Sequence, residues 1–144
     1  MSVKGKRIGF IGCGNMGEAL VKGLVEAHVV PADLITAFDT RGDQLAELDR
    51  RYGVRPSKSN VDVVRECDVV VLAVKPQIMT PVLAEIASSV SRRQLIVSIA
   101  AGVSTATIRA GAGKDVRLIR VMPNTPALVL QGATATDSAS CRWA

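Results

Sequence analysis

Near its start the chain reads Lys6-Arg7-Ile8-Gly9-Phe10-Ile11-Gly12-Cys13-Gly14-Asn15-Met16-Gly17, an apolar strand-like run followed by the pattern G-x-G-x-x-G and a helix-forming segment. Gly12 permits a tight turn, Gly14 lets the backbone approach a pyrophosphate, and Gly17 lets the helix pack close to the strand. Unpaired N–H groups and the helix dipole favour an anion there. A glycine-rich turn without a ligand is the alternative, but this context favours dinucleotide binding.

The composition is that of one globular domain. The chain has 144 residues, of which 48% are hydrophobic and only 3% aromatic, so Val, Ile, Leu and Ala must fill the core. That is typical of a parallel sheet covered by helices on both faces. The net charge of +5 is scattered, without a basic stripe interleaved with aromatic residues, which argues against nucleic-acid binding and suits an anionic cofactor.

The sequence gives little support for a membrane span, a metal site or a reactive thiol. No apolar run approaches the ~20 residues that span a bilayer, and the first residues lead straight into a strand, so we expect a cytoplasmic protein. Cys13, Cys67 and Cys141 are an odd set without a C-x-x-C pair, which argues against a disulfide framework and a metal site. We expect Cys13 to be present because it is small, although a helix N-terminus could lower its pKa.

Short apolar runs alternate with segments of helical periodicity, which is typical of βαβ units. Strands are predicted at residues 7–11, 34–38, 68–74, 94–99 and 117–122, with a weaker one at 54–56. The run at 68–74 is apolar on both faces and should be a central strand. Right-handed crossovers then predict a doubly wound, Rossmann-like α/β sheet in a single domain.

The carboxyl ends of these strands should meet at one edge of the sheet and line a crevice. Each end could be an ordinary turn, but several are small or polar. Pro76 ends its strand and forces an extended Lys75, and the small residues after the 94–99 strand leave space for a flat ring. The ends are Gly12-Cys13-Gly14, Asp39-Thr40-Arg41, Ala73-Val74-Lys75-Pro76, Ile99-Ala100-Ala101-Gly102 and Met122-Pro123-Asn124-Thr125-Pro126.

The end of the second strand carries two conflicting signals about the nucleotide. Asp39 stands where an acidic residue accepts hydrogen bonds from the ribose 2′-OH of NAD. Arg41, two residues later, can pair with the 2′-phosphate of NADP. A third interpretation makes this segment a solvated turn with Asp39 as a cap.

Four segments together resemble pyrroline-5-carboxylate reductases, over about residues 7–135. The segment from Arg120 to Ala127 is the most specific of the four. They are Phe10-Ile11-Gly12-Cys13-Gly14-Asn15-Met16-Gly17-Glu18-Ala19, Ala73-Val74-Lys75-Pro76-Gln77, Ser98-Ile99-Ala100-Ala101-Gly102-Val103 and Arg120-Val121-Met122-Pro123-Asn124-Thr125-Pro126-Ala127. The resemblance implies NAD(P)H-dependent reduction of 1-pyrroline-5-carboxylate to proline, the last step of proline biosynthesis.

The resemblance also implies the cofactor contacts. The glycine pattern adds Gly17, and the end of the second predicted strand adds Asp39 and Arg41. Family members mostly prefer NADPH and carry small polar or basic residues where this chain has Phe38-Asp39, so we expect NADP with NAD possible. The contacts implied by the family are Ile11, Gly12, Cys13, Gly14, Asn15, Met16, Asn60, Ala73, Val74, Lys75, Pro76, Ile99, Ala100 and Ala101.

Residues 1–135 are expected to form the dinucleotide-binding domain, and residues 136–144 an atypical tail. Full-length reductases of this family continue into a helical domain that dimerises and supplies much of the imino-acid site, and this sequence does not include it. We therefore assign no catalytic residue and expect little turnover by the chain alone, with self-association through the apolar residues 121–129. His28, the sole histidine, is expected at the surface at the end of the first helix.

Two other functions stay open. The chain could be a stand-alone nicotinamide dinucleotide-binding module without turnover, or a Rossmann reductase of the β-hydroxyacid dehydrogenase type. The segment Met122-Pro123-Asn124-Thr125-Pro126 argues against the latter.

Overall fold

The computed structural model describes residues 5–113, 115–123 and 134–137. Within them, seven strands form one sheet: β1 (Ile8–Ile11), β2 (Ile35–Phe38), β3 (Arg55–Pro56), β4 (Val69–Leu72), β5 (Leu95–Ser98), β6 (Arg117–Pro123) and β7 (Thr134–Asp137). Their order is β3-β2-β1-β4-β5-β6-β7. The first six pair in parallel and β7 pairs antiparallel with β6. The order of the six parallel strands is that of the doubly wound dinucleotide-binding fold, as the sequence predicts.

In the described part of the chain, five α-helices connect the six parallel strands: α1 (Asn15–Glu26), α2 (Gly42–Tyr52), α3 (Asn60–Glu66), α4 (Met79–Ile86) and α5 (Thr105–Ala112). Local residues explain several of their ends. The Ser59 and Ser104 side chains cap α3 and α5 by accepting backbone N–H groups of the first turn. Gly53 ends α2 in the left-handed conformation, at φ 75°. Apolar residues at helical spacing predict α1, α2 and α4, whereas α3 and α5 lack an equally clear pattern. They include Leu20 and Leu24, Leu45 and Leu48, and Val82 and Ile86.

Helices cover both faces of the sheet and produce two separate cores. One face buries Val21 of α1 and Leu48 of α2 against β1 and β2. The other buries α3, α4 and α5 against alternate residues of β4, β5 and β6. Consecutive residues of β4 therefore enter opposite cores: Val69 and Val71 one, Val70 and Leu72 the other. This two-sided burial explains why β4 is apolar throughout.

All six predicted strands are present, within a few residues of their expected bounds. The antiparallel β7 was not predicted. It includes residues on both sides of the expected domain boundary at 135, which stays a prediction, and residues 124–126 lie outside the described part. His28 is exposed just beyond α1, in the left-handed conformation at φ 54°, and its N–H donates to the Val25 carbonyl. None of the described helices is long and apolar enough to cross a membrane.

Candidate functional site

The parallel register brings the carboxyl ends of four strands together at one edge. Hydrogen bonds continue past the strands, from Gly12 N–H to the Phe38 carbonyl at 2.9 Å and from Ala73 N–H to the Ile11 carbonyl at 2.8 Å. Ile99 N–H donates to the Leu72 carbonyl at 3.1 Å. The loops after β2, β1, β4 and β5 therefore lie side by side, as expected, at the point where chain order reverses between β1 and β4.

A crevice of about 500 Å³ opens at this edge. It is lined by residues that follow β1, β2 and β4, by Asn60 of α3 and by the start of α4. Ten of the residues predicted to bind the cofactor line it: Gly12, Cys13, Gly14, Asn15, Asp39, Arg41, Asn60, Ala73, Val74 and Lys75.

Seven of the predicted residues do not line this crevice. Ile11 is fully buried in the core, and Pro76 begins a short 3-10 turn after Lys75, which is extended as predicted (φ −62°, ψ 145°). The other five lie in the first turn of α1 or directly after β5, at the same edge of the sheet: Met16, Gly17, Ile99, Ala100 and Ala101.

The three glycines of the motif differ in what surrounds them. Gly12 has φ 87°, and a Cβ atom there would lie 2.8 Å from the Ala73 carbonyl oxygen. A Cβ on Gly17 would lie 2.9 Å from the Gly12 carbonyl oxygen. Gly14 has ordinary extended angles (φ −70°, ψ −166°), and a Cβ there would meet no atom of the described residues within 4 Å. The protein itself thus requires glycine at positions 12 and 17, whereas at position 14 the vacant space fits a bound group.

The N-terminus of α1 adjoins the open space at Gly14. Gly14 is the N-cap residue, so no side chain caps this 12-residue helix. The N–H groups of its first turn and the positive end of its dipole are therefore available to an anion. These features fit the pyrophosphate of a dinucleotide without a basic side chain.

Asp39 joins the end of β2 to the glycine turn. Its Oδ2 accepts the Cys13 N–H and its Oδ1 accepts the Arg41 N–H, both at 2.8 Å. Burial disfavours the charged carboxylate, but the backbone hydrogen bonds from Arg41 and Cys13 and the Arg41 side chain outweigh burial, so the pKa of Asp39 lies below its ordinary value. The carboxylate is therefore a structural acceptor, as the cap interpretation anticipates, and it also anchors the turn after β1.

Arg41 lies at the rim of the crevice with its side chain 58% exposed. Its Nε is 3.4 Å from Asp39 Oδ1, which is a long contact for an ion pair in water. The guanidinium is thus placed where it can contact an anionic group in the crevice.

Cys13 is fully buried, and burial, followed by the nearby Asp39 charge, raises the pKa of its thiol to about 12. The lowering that a helix N-terminus could cause does not occur, because desolvation dominates. Burial likewise raises the pKa of Cys67 to about 11. Both thiols are free. Cys13 therefore has the environment of a small core residue.

Asn60, at the start of α3, is buried and forms part of the crevice wall. Its Nδ2 donates to Glu85 Oε2 of α4 at 3.2 Å, which ties the two helices together beside the crevice. Its Oδ1 is buried and has no hydrogen-bond partner among the residues that the structure describes.

Sequence reasoning missed six residues that line the crevice: Glu18, Phe38, Thr40, Gln44, Ile78 and Val82. Gln44 is the most consequential, since its Nε2 donates to the Cys13 carbonyl at 2.6 Å. In the sequence, only its position could have indicated this role, because Gln44 lies in the first turn of α2, just after the strand end that carries Asp39. Among the described residues, no three His, Cys, Asp or Glu side chains form a group that could hold a metal ion.

A doubly wound sheet with an uncapped glycine turn at its switch point defines a Rossmann-type nicotinamide dinucleotide-binding domain. Residues 7–102 match the family model described as NADP oxidoreductase coenzyme F420-dependent, and the chain belongs to that family.

Relatives agree with the resemblance predicted from the sequence. The chain is 44% identical over 130 residues to the pyrroline-5-carboxylate reductase of Escherichia coli (strain K12), which covers 90% of the chain and 48% of that protein. It is similar to a solved pyrroline-5-carboxylate reductase from Coxiella burnetii, at 36% identity and a TM-score of 0.89, covering 93% of the chain and 50% of that structure.

A third match is the Plasmodium falciparum pyrroline carboxylate reductase with NADP bound. Its TM-score is 0.84 at 28% identity, and the match covers 96% of the chain and 50% of that structure. The chain thus spans about half the length of the relatives it matches. The predicted fold class and the predicted resemblance are both confirmed.

Proposed function

We propose that this chain is the cofactor-binding part of a reductase that uses NAD(P)H to convert 1-pyrroline-5-carboxylate to proline. The observation that carries the proposal is Gly14, whose missing side chain faces open space beside the uncapped N-terminus of α1. No contact within the described protein requires glycine there, whereas a pyrophosphate does. The substrate is inferred from the relatives, which are named pyrroline-5-carboxylate reductases.

The crevice suits the adenosine half of the dinucleotide. Its rim carries Arg41, and its wall carries the apolar side chains of Val74, Ile78 and Val82, against which a base can pack. The nicotinamide would then lie toward the small residues after β5, Ile99 to Ala101. Nicotinamide supplies the hydride, and this chain's residues hold and orient the dinucleotide.

NADPH is the proposed preference. Both carboxylate oxygens of Asp39 already accept backbone N–H groups, so they are poorly placed to select a free 2′-OH. Arg41 is exposed at the crevice and can pair with a 2′-phosphate. The Plasmodium falciparum relative was solved with NADP bound, which agrees with this choice.

For the imino acid and for a protein partner, the proposal names no individual residue contacts. No catalytic residue is assigned among the described residues. Near-attack geometry requires the imine to be held against the nicotinamide, and no described residue is assigned that task, so we expect little turnover from this chain alone. Met122 of β6 is 49% exposed, which supports self-association through this region. The cytoplasmic location stays a prediction.

Calorimetric titration with NADPH and NADH, together with an assay of NADPH oxidation and proline formation from 1-pyrroline-5-carboxylate, tests the proposal. We expect NADPH to bind and turnover to be small. Failure of both dinucleotides to bind would refute the cofactor role. Oxidation of a β-hydroxyacid with NADP+, in the absence of imine reduction, would favour the other reductase class.

A further inference from the structure

Cys13 is held by the β2–α2 segment on both sides of its backbone. Its N–H donates to Asp39 Oδ2 at 2.8 Å, and its carbonyl accepts the Gln44 side-chain N–H at 2.6 Å. The Cys13 thiol also contacts the Phe38 carbonyl at 3.8 Å. The glycine turn cannot rotate at this point without breaking these contacts.

The amide orientation of Gln44 follows from its two partners. Its Nε2 lies 2.6 Å from the Cys13 carbonyl oxygen and 3.2 Å from Glu18 Oε2. Both partners are acceptors, so the NH₂ group must face them and the carbonyl must face away. Glu18 is in turn held by Arg51, whose Nη1 is 2.6 Å from Oε1. Gln44 is therefore presented to the turn as a hydrogen-bond donor.

The bond from Gln44 also determines the direction of the Gly14 N–H. The Cys13 carbonyl and the Gly14 N–H belong to one trans peptide group, in which C=O and N–H point in opposite directions. Drawing the carbonyl toward Gln44 turns the N–H to the other side. Within residues 5–113, 115–123 and 134–137, that N–H has no hydrogen-bond acceptor. Gly14 itself lines the crevice.

We infer that Gln44 is a positioning residue, which holds the Cys13–Gly14 peptide group so that the Gly14 N–H donates to the pyrophosphate of the dinucleotide. The inference rests on the proposed function and extends the phosphate site to α2, outside the glycine motif. A hydrogen bond to a phosphate oxygen is charge-assisted, so losing its alignment should weaken NADPH binding about tenfold or more.

Three substitutions separate this role from simple packing. Gln44→Glu keeps the shape but places an acceptor against two acceptors, and Gln44→Leu removes the donor. Gln44→Lys restores a donor that can reach both the Cys13 carbonyl and Glu18. Ser88→Glu, at an exposed position just after the end of α4 that lies away from the crevice, is the control for added negative charge.

Two nucleotide probes report on different parts of the site. NADPH contains the pyrophosphate, whereas adenosine 2′-monophosphate contains only the adenosine and the 2′-phosphate. We expect Gln44→Glu and Gln44→Leu to weaken NADPH binding while the Kd for adenosine 2′-monophosphate stays unchanged. Gln44→Lys should recover NADPH affinity relative to Gln44→Leu, and the control should bind both probes as the parent does. Equal weakening of both probes, or parent-like NADPH affinity in Gln44→Glu, would overturn the inference.

A measurement without nucleotide keeps the inference separate from the proposed function. Residual dipolar couplings give the direction of the Gly14 N–H bond in the labelled protein. We expect the same direction in the parent and in Gln44→Lys, and a different one in Gln44→Glu. An unchanged direction in all three refutes the positioning role. A changed direction in a protein that binds no NADPH would refute the proposed function alone.

Discussion

Asp39 Oδ2 lies 2.8 Å from the backbone nitrogen of Cys13, so a carboxylate at the end of β2 holds the glycine turn that follows β1. The same carboxylate accepts the Arg41 N–H through Oδ1. One side chain therefore links the segment that would contact the pyrophosphate with the segment that would contact the 2′-phosphate. Changes to Asp39 should alter both stability and binding.

Asp39→Asn should lower the free energy of unfolding at neutral pH, because a carboxamide has one acceptor oxygen for two backbone N–H groups. The pKa of Asp39 is lowered in the folded protein. Its contribution is therefore present above the ordinary pKa of about 3.9 and is lost as the pH falls through the lower, folded value. Urea unfolding of parent and variant should show a difference in the free energy of unfolding at neutral pH that shrinks as the pH falls below the ordinary pKa of the carboxyl group.

Asp33→Asn is the control for this prediction, since Asp33 is exposed in the turn before β2. A stability difference for Asp39→Asn that grows on acidification would contradict the structural role of the carboxylate.

Gly14→Val should abolish NADPH binding while leaving the fold intact. The valine side chain would enter open space that the pyrophosphate needs, and the backbone angles of Gly14 suit any residue. Calorimetry with NADPH and circular dichroism check the two halves of the prediction. Ala110→Val, on the exposed side of α5, is the matched control. A folded Gly14→Val protein that titrates NADPH like the parent would place the phosphate site elsewhere.

Gly17→Ala should instead destabilise the protein. Its Cβ would lie 2.9 Å from the Gly12 carbonyl oxygen, which is backbone and cannot move aside cheaply. Overpacking of this kind costs about 1–3 kcal/mol. Thermal unfolding compared with Gly14→Ala checks it, and we expect a lower Tm only for Gly17→Ala. Equal Tm values would mean that the helix can shift away from the turn.

Arg41→Ala should weaken NADPH binding more than NADH binding, because only NADPH carries the 2′-phosphate that the guanidinium can pair with. Titration of both cofactors measures the ratio of the two effects. Arg92→Ala, in the exposed turn before β5 at the opposite edge of the sheet, is the control. Equal losses of affinity for NADPH and NADH would show that Arg41 does not recognise the 2′-phosphate.

Cys13 and Cys67 should react slowly with thiol reagents in the folded protein and rapidly after unfolding. Burial raises the pKa of the two thiols to about 12 and about 11, so little thiolate exists near neutral pH. Ellman titration of a Cys141→Ser variant, with and without denaturant, measures this. Fast labelling of Cys13 in the folded protein would contradict this prediction and support a nucleophilic role for its thiol.

Much of the fold follows from local patterns in the chain. The run through Ile8–Ile11 into G-x-G-x-x-G predicts strand, turn and helix, because each step depends on neighbouring residues. The uniformly apolar β4 predicts a central parallel strand, and the handedness of crossovers then leaves few possible sheets. The shared edge of strand ends, with ten of the predicted cofactor residues lining one crevice, follows from that topology.

Other features depend on contacts between distant parts of the chain. Asp39 meets Cys13 across 26 positions and Gln44 meets Cys13 across 31, and no periodicity marks these pairs. The motif alone does not distinguish Gly12, Gly14 and Gly17. In the folded structure, a side chain at Gly12 or Gly17 would collide with backbone atoms, whereas one at Gly14 would enter open space. The raised pKa of Cys13 likewise comes from burial. Hydrogen bonds and desolvation depend on distances that exist only once β1, β2 and β4 lie side by side.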